Sequence, residues 1–334
     1  MTDAGSSIID GLMSLSQLPP APPDMTAERA RFAGGVVRVL IAAAALGTLG
    51  PVSGLAYGTG VEPATFSALR AGIGAALLGL LLLAGRQPSV RLMGLPPRQR
   101  KMLLLAVAVN GLMNLLLFFA FGAMAVAVVM VVFFTYPVQV ALIAVALRRE
   151  RLTPRRVAAL ALSVLGLALV LGGRLGPATN VTAEGVALAA GAAVCHAVFL
   201  VVVRHGFPRV PPVQATSLVL AGGLVVSGTA ALLVSGSGIV GPWLASPLAW
   251  AAIIFAGTIG AAFPKVWVIS GVRAIGSTRA AVLMLMEPVT AVVVAALVLA
   301  QAPTVLEHAG GAAVLVVQVR EPEAEVVRIP VGVA

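Results

Sequence analysis

The sequence predicts an all-α integral membrane protein, with ten transmembrane helices arranged as two inverted five-helix repeats. Three observations carry that expectation. Of 334 residues, 60% are hydrophobic and 10% charged, at a mean hydropathy of +1.05. A soluble domain carries about 25% charged residues, too many more for this chain to build a water-facing surface. Apolar runs of about 20 residues, the length needed to cross a bilayer, recur along the chain. The basic residues fall in short tracts between those runs, on alternate sides. Together these exclude an ordinary soluble enzyme, a disordered chain and a nucleic-acid-binding domain. Cys195 is the single cysteine, so an internal disulfide framework and a multi-cysteine metal site are also excluded. No metal or cofactor is expected.

Taken in order, residues 1–35 are expected to form a disordered cytoplasmic tail containing the run Pro19-Pro20-Ala21-Pro22-Pro23. No basic segment precedes an apolar run there, so the first span serves as the insertion signal and no cleavable signal peptide is expected. Spans are expected at 37–57, 64–85, 102–121, 124–147, 154–173, 184–203, 214–235, 248–270, 279–300 and 304–320. The connection between the third and fourth, near Gly122, is very short. The tenth is short and begins near Glu307 and His308. Residues 321–334 form a second cytoplasmic tail. With the amino terminus in the cytoplasm, nineteen of the 22 Lys and Arg residues fall inside, Arg174 falls outside, and Arg70 and Lys265 fall within spans. That bias sets the orientation, with both termini inside. It also accounts for the net charge of +10 without nucleic acid. The expected location is the plasma membrane, of the bacterial inner-membrane type.

The two halves resemble each other at an offset of 151 residues. Pro137 in the fourth span matches Pro288 in the ninth, Glu150 matches Gln301, Thr153 matches Thr304, Asn114 matches Lys265 and Ala123 matches Ala274. Residues 36–174 are read as the first repeat and 180–320 as the second. Five spans is an odd number, so the second repeat enters the membrane upside down. Inverted repeats of this kind mark secondary transporters, with the solute site near the midplane between halves.

Each half resembles the EamA domain of the drug/metabolite transporter superfamily. The first half shows Phe66-Ser67-Ala68-Leu69-Arg70, Tyr136-Pro137 and Arg149-Glu150-Arg151-Leu152-Thr153. The second shows Ala261-Ala262-Phe263-Pro264 and Leu283-Met284-Leu285-Met286-Glu287-Pro288, similar to the amino-acid exporter branch, such as threonine/homoserine exporters. The resemblance covers about residues 36–320 and implies export of a small metabolite, an amino acid among the candidates. Gln301 departs from the pattern, standing where the family has the Glu of a Glu-x-Leu-Thr motif.

Few side chains inside the spans can carry chemistry. Glu287 lies well inside the ninth span and Lys265 inside the eighth. A charge there costs several kcal/mol unless it is paired, neutralised or facing water. Both lie eleven residues from Gly276, which puts them at similar depth in an antiparallel hairpin, about 16 Å along each axis. They are expected to form an ion pair or to share a polar cavity. Such a cavity would be a solute or proton site; a plain structural lock between two helices is the competing reading. Asn110 and Asn114, one turn apart in the third span, and Tyr136 and Gln139, three apart in the fourth, form polar stripes. These suit either a solute cavity or interhelical hydrogen bonding. Arg70 either snorkels outward, pairs with a carboxylate or binds an anionic group. His196 is a proton-relay candidate against a hydrogen-bonded structural role, and Trp267 either stacks on the solute or packs.

Pro51, Pro137, Pro264 and Pro288 each remove a helical hydrogen bond within a span and are hinge candidates. Trp243 and Trp250 read as interfacial anchors. Gly54 and Gly58 in span one, and Gly72, Gly74 and Gly79 in span two, are expected at close helix crossings. The expected partners are a small-molecule solute, the lipid bilayer and, for coupling, protons. No nucleotide-binding loop is present, so direct ATP drive is not expected. An intramembrane lipid- or acyl-modifying enzyme is the alternative of another class; the scattered histidines, single cysteine and few carboxylates make no catalytic constellation for it.

Overall fold

The computed structural model describes residues 25–124, 126–147, 181–234 and 240–299, with a few helical positions between 158 and 169 and between 309 and 312. Eight helices among them are long and apolar enough to cross a membrane: Glu28–Tyr57, Pro63–Leu83, Pro97–Phe121, Val128–Ala146, Ala183–His205, Pro212–Val234, Pro247–Ile275 and Ser277–Val294. They coincide with the expected spans one to four and six to nine, whose numbering is kept here. The expected fifth and tenth spans, the Arg149–Thr153 stretch and Gln301 lie outside the described residues, apart from those few positions. The count of ten is therefore not reached among the described residues, which show eight.

The first helix begins at Met25, well upstream of position 37. Glu28 in its first turn complements the positive end of the helix dipole. Phe32 lies under the Arg279 guanidinium, 5.3 Å from it, which ties this extension to the bundle.

Among the described residues, each of the four prolines within a span follows an interruption of its helix, because its ring displaces the carbonyl four residues back. Span one breaks at Thr48, between Met25–Gly47 and Leu49–Tyr57, ahead of Pro51. Span four breaks at 134–135, between Val126–Phe133 and Tyr136–Ala146, ahead of Pro137. Span eight changes to a π-helical segment, Thr258–Ala262, ahead of Pro264. Span nine breaks at 284–285, between Ser277–Leu283 and Met286–Leu299, ahead of Pro288. Two breaks are stitched alike: Thr48 Oγ1 donates to the Ala45 carbonyl and Thr135 Oγ1 to the Val132 carbonyl, each at 2.7 Å.

The most extensive helix contacts cross from one half to the other. Span two packs on seven, three on six, one on eight, three on seven, two on eight, one on nine, four on six and four on nine. Exchanging the halves, so that one becomes six and two becomes seven, maps this set onto itself. The interface is therefore pseudo-twofold. The halves also run in opposite senses. At the end of the bundle that carries the 84–96 and 206–211 loops, span one begins and its counterpart, span six, terminates.

That end is rich in arginine and closely bonded. Arg204, in the last turn of span six, donates to the carbonyls of Val272 at 2.8 Å and Arg273 at 2.5 Å, at the end of span eight. Arg273 returns the arrangement, donating to the carbonyls of Val203, Phe207 and Val210 at 3.4, 3.2 and 2.8 Å and lying over the Phe207 ring. Each guanidinium caps the other helix's carboxyl end, where orphan carbonyls and the dipole favour a cation. Gln214 adds a two-way bond to the Val90 backbone, at 2.9 and 2.8 Å. Arg273→Ala is expected to lower thermal stability, measured by size-exclusion fluorescence after heating in detergent. The loss should be about 2 kcal/mol or more, since a hydrogen bond to a charged group contributes roughly 1.5–3 kcal/mol. Arg273→Lys should restore only part of it, because an ammonium cannot present the same fork to three carbonyls.

Close crossings do occur at glycines, but not at the pair expected in span one. A Cβ at Gly54 would meet nothing within 4 Å, and one at Gly58 would touch only its own helix. The crossings use Gly35 against Ala274 and Ile275, Gly271 against Val39, and Gly47 against Glu287 and Thr290. Gly74, as expected, lies at a crossing, close to Ala262 and the Gly257 carbonyl. Gly54 and Gly58 are exposed, on a face of Leu49–Tyr57 turned away from its neighbours, while Ala56 on the other face is buried. Trp243 also departs from an interfacial role. It is 3% exposed, 5.8 Å from the Trp250 ring, and packs with Ala56, Val61, Phe66 and Ile253. Trp250 is the more exposed of the two and donates to the Leu244 carbonyl at 3.0 Å.

Candidate functional site

The helix interruptions place polar side chains at mid-span. In span nine the break ahead of Met286 creates a helix amino terminus inside the bundle, and Glu287 lies in its first turn. A carboxylate is favoured there by the unpaired N–H groups and the positive dipole end. Tyr136 holds the matching place in span four, at the start of Tyr136–Ala146. The offset of 151 relates Tyr136 to Glu287, each directly before its proline, as it relates Asn114 to Lys265. In span eight the π-helical segment just precedes Lys265. A π segment inserts extra backbone per turn and so rotates the side chains that follow.

Lys265 is brought to span three. Its ammonium donates to Asn110 Oδ1 at 2.6 Å and lies over the Phe199 ring, 5.3 Å from its centre. Asn110 is 2% exposed. One turn on, Asn114 Nδ2 donates to the Asn110 carbonyl at 2.7 Å, and Asn114 Oδ1 accepts a long bond, 3.5 Å, from Arg70 Nη2. The four residues make a polar ladder across spans eight, three and two. Lys265 and Glu287 are not ion-paired among the described residues, because the lysine reaches Asn110 instead. They do share one electrostatic neighbourhood: the charges of Lys265 and Arg70 act on Glu287 through space, and that of Glu287 on Tyr136. Arg70 does not snorkel outward; its side chain turns inward to span three.

An aromatic wall adjoins the ladder. The His196 ring stands edge-on to Tyr136 at 4.5 Å and lies 5.5 Å from Phe133 and 6.2 Å from Phe199. Its Nδ1 is 3.2 Å from the Met113 sulfur. The Tyr136 hydroxyl donates to the Ala281 carbonyl of span nine at 3.5 Å, just below the other break. Gln139 donates to Thr135 Oγ1 at 3.4 Å, while its own carbonyl oxygen is buried without a partner. A small cleft lined by Ala64, Ser67, Asn114, Leu115, Ser227 and Ala230 leads to Asn114, with Ser67 and Ser227 bonded across it at 3.2 Å.

Of the residues singled out in the sequence, the structure gathers Lys265, Asn110, Asn114 and Arg70 by direct bonds. Glu287, Tyr136 and His196 lie beside them. Gln139 lies one turn beyond Tyr136. Trp267 is not part of this cluster: it is half-buried, 6.3 Å from the Phe263 ring, and packs on the main core. Phe133, Phe199 and Met113 were missed. Phe199 carries one readable signal, a spacing of three from His196 that puts both on one helical face.

This is a bundle of helices suited to the bilayer. Its halves exchange places about a pseudo-twofold axis, and charged side chains collect at mid-span where the halves meet. The arrangement defines a polytopic membrane transporter. The chain belongs to the EamA-like transporter family, which it matches twice, over residues 33–172 and 183–317. Members of that family are transporters, not enzymes. A solved crystal structure of another protein, 22% identical, superposes with a TM-score of 0.72 over 86% of this chain and 95% of that one. No curated protein matches the sequence.

Proposed function

We propose that this transporter is a secondary active exporter of a small metabolite, an amino acid, working by alternating access between its two inverted repeats. One observation carries the reading: the repeat-related pairs Asn114/Lys265 and Tyr136/Glu287 lie at the interface between halves, where a rocking motion would expose them to each side in turn. A solute bound there touches both halves, so its binding and their movement are coupled. The breaks ahead of Pro51, Pro137, Pro264 and Pro288 supply the hinges, since each leaves a turn without its full complement of backbone bonds. Charges of both signs beside an aromatic wall suit an amphiphilic zwitterion. Glu287, the carboxylate of the cluster, is the residue through which protons would couple. In this reading the protein lies in the plasma membrane with both termini in the cytoplasm, an orientation that the nineteen-to-one distribution of basic residues supports. Another small metabolite or a drug as cargo is the second reading.

The test is counterflow in proteoliposomes, with a panel of labelled amino acids and with or without a pH gradient. Uptake of at least one amino acid against its unlabelled pool is the expected result, with a rate that responds to the gradient. Absence of uptake across the panel would remove the amino-acid class.

A further inference from the structure

Among the described residues, the polar ladder holds more positive charge than its neighbours answer. Lys265 has three donor hydrogens, and one short bond, to Asn110, engages it. Arg70 has five, and its bond to Asn114 is long at 3.5 Å. Neither makes an ion pair with a described residue. Among the described residues, two cations stand against one mid-span carboxylate, Glu287, which lies in the first turn of the span-nine helix and is bonded to neither. The formal excess is one positive charge. A cation inside a bilayer is costly unless an anion or water answers it. Asn110 and Asn114, which the two cations contact, lie about one helical turn apart, roughly 6 Å along span three.

We infer that the solute is recognised by a carboxylate, which docks between the Lys265 ammonium and the Arg70 guanidinium along the Asn110–Asn114 ladder. The amine of an amino acid is then secondary, and the solute class widens to small carboxylates with or without one. An anion docked between the two cations relieves their mutual repulsion. Arg70 offers the planar fork that matches a carboxylate, and Lys265 a point charge. The Asn114 end of the ladder opens on the cleft lined by Ser67 and Ser227, whose hydroxyls offer a carboxylate a polar approach. The aromatic wall of Tyr136, Phe133 and Phe199 would face the apolar remainder.

The inference rests on the transporter reading but not on amino acids being the cargo. Its test uses the full-length protein in lipid nanodiscs and three matched probe sets. These are leucine, 4-methylpentanoate and leucinamide; phenylalanine, 3-phenylpropanoate and phenylalaninamide; and alanine, propanoate and alaninamide. Ligand-induced thermal stabilisation is the readout. In at least one set the amino acid and its deaminated acid are expected to bind about tenfold or more tightly than the amide, the difference between a charge-assisted contact and a neutral one. Lys265→Gln should erase that preference and Lys265→Arg should keep it, which separates recognition from a fold that merely needs the site filled. Arg70→Gln should reduce it.

Amides that bind as well as their acids in all three sets would overturn the inference while leaving amino-acid transport standing. Binding of deaminated acids but of no amino acid would support the inference and remove the amino-acid reading. Failure of every carboxylate in the three sets, or an unchanged preference in Lys265→Gln, would also overturn it.

Discussion

A Lys265→Met variant is expected to lose solute counterflow in proteoliposomes while still entering the membrane as a folded protein. Methionine fills similar volume and suits a membrane interior. Its introduction leaves Asn110 Oδ1, 2% exposed as a residue, without the ammonium that now donates to it at 2.6 Å. It also removes a cation from the electrostatic set around Glu287. Losing the ammonium's charge-assisted contact with the solute costs roughly 1.5–3 kcal/mol, about ten- to a hundredfold in binding. The loss should therefore fall on solute affinity and rate, with the size-exclusion profile unchanged. Glu287→Gln is the companion variant. If both transport at the rate of the parent protein, the cluster is a structural lock between helices and not a transport site.

The second large effect is expected from a residue with no side chain, Gly47, packed against the backbone of Glu287. This residue ends the first half of span one, and its Cα faces the backbone of span nine. A Cβ there would overlap the Glu287 carbonyl oxygen and come within 2.7 Å of Thr290 Cβ. The obstacle is backbone on one side, so the helices must part. Gly47→Val should destabilise the protein by about 1–3 kcal/mol, the usual cost of overpacking. It should also depress transport by displacing the turn that presents Glu287. Gly54→Val is the control, since nothing lies within 4 Å of a Cβ at that position. Its thermal midpoint and counterflow should match the parent. Equal behaviour of the two variants would mean that the span one–span nine contact is not close in the membrane.

Much of the fold was legible because a bilayer leaves few options. Spans of about 20 apolar residues and alternating basic loops read directly from the sequence. So did the repeat, because Pro137 and Pro288 punctuate both halves at the same offset and the structure breaks the helix just ahead of each. The partner of Lys265 was not legible. Equal distance from Gly276 placed it level with Glu287, but depth says nothing about the direction a side chain takes around its helix. The π-helical segment at Thr258–Ala262 alters that direction, and no single-residue signal announces it. The same limit applies to glycine. The Gly54/Gly58 spacing fits a crossing, yet those two glycines face outward, and the close crossings of span one are at Gly35 and Gly47. Trp243 read as an interfacial anchor from its place beside a span end, but the turn Pro242–Ala245 folds it inward.

The central claim is that the mid-span site opens to one side of the membrane at a time. Leu115 lines the cleft beside Asn114 without belonging to the charged cluster. A Leu115→Cys variant in a Cys195→Ser background, reconstituted in sealed vesicles, can be challenged with a membrane-impermeant thiol reagent from either face. The account predicts labelling that a transported solute redistributes between faces, rising from one as it falls from the other. Equal labelling from both faces, unmoved by solute, would describe an open pore and contradict it.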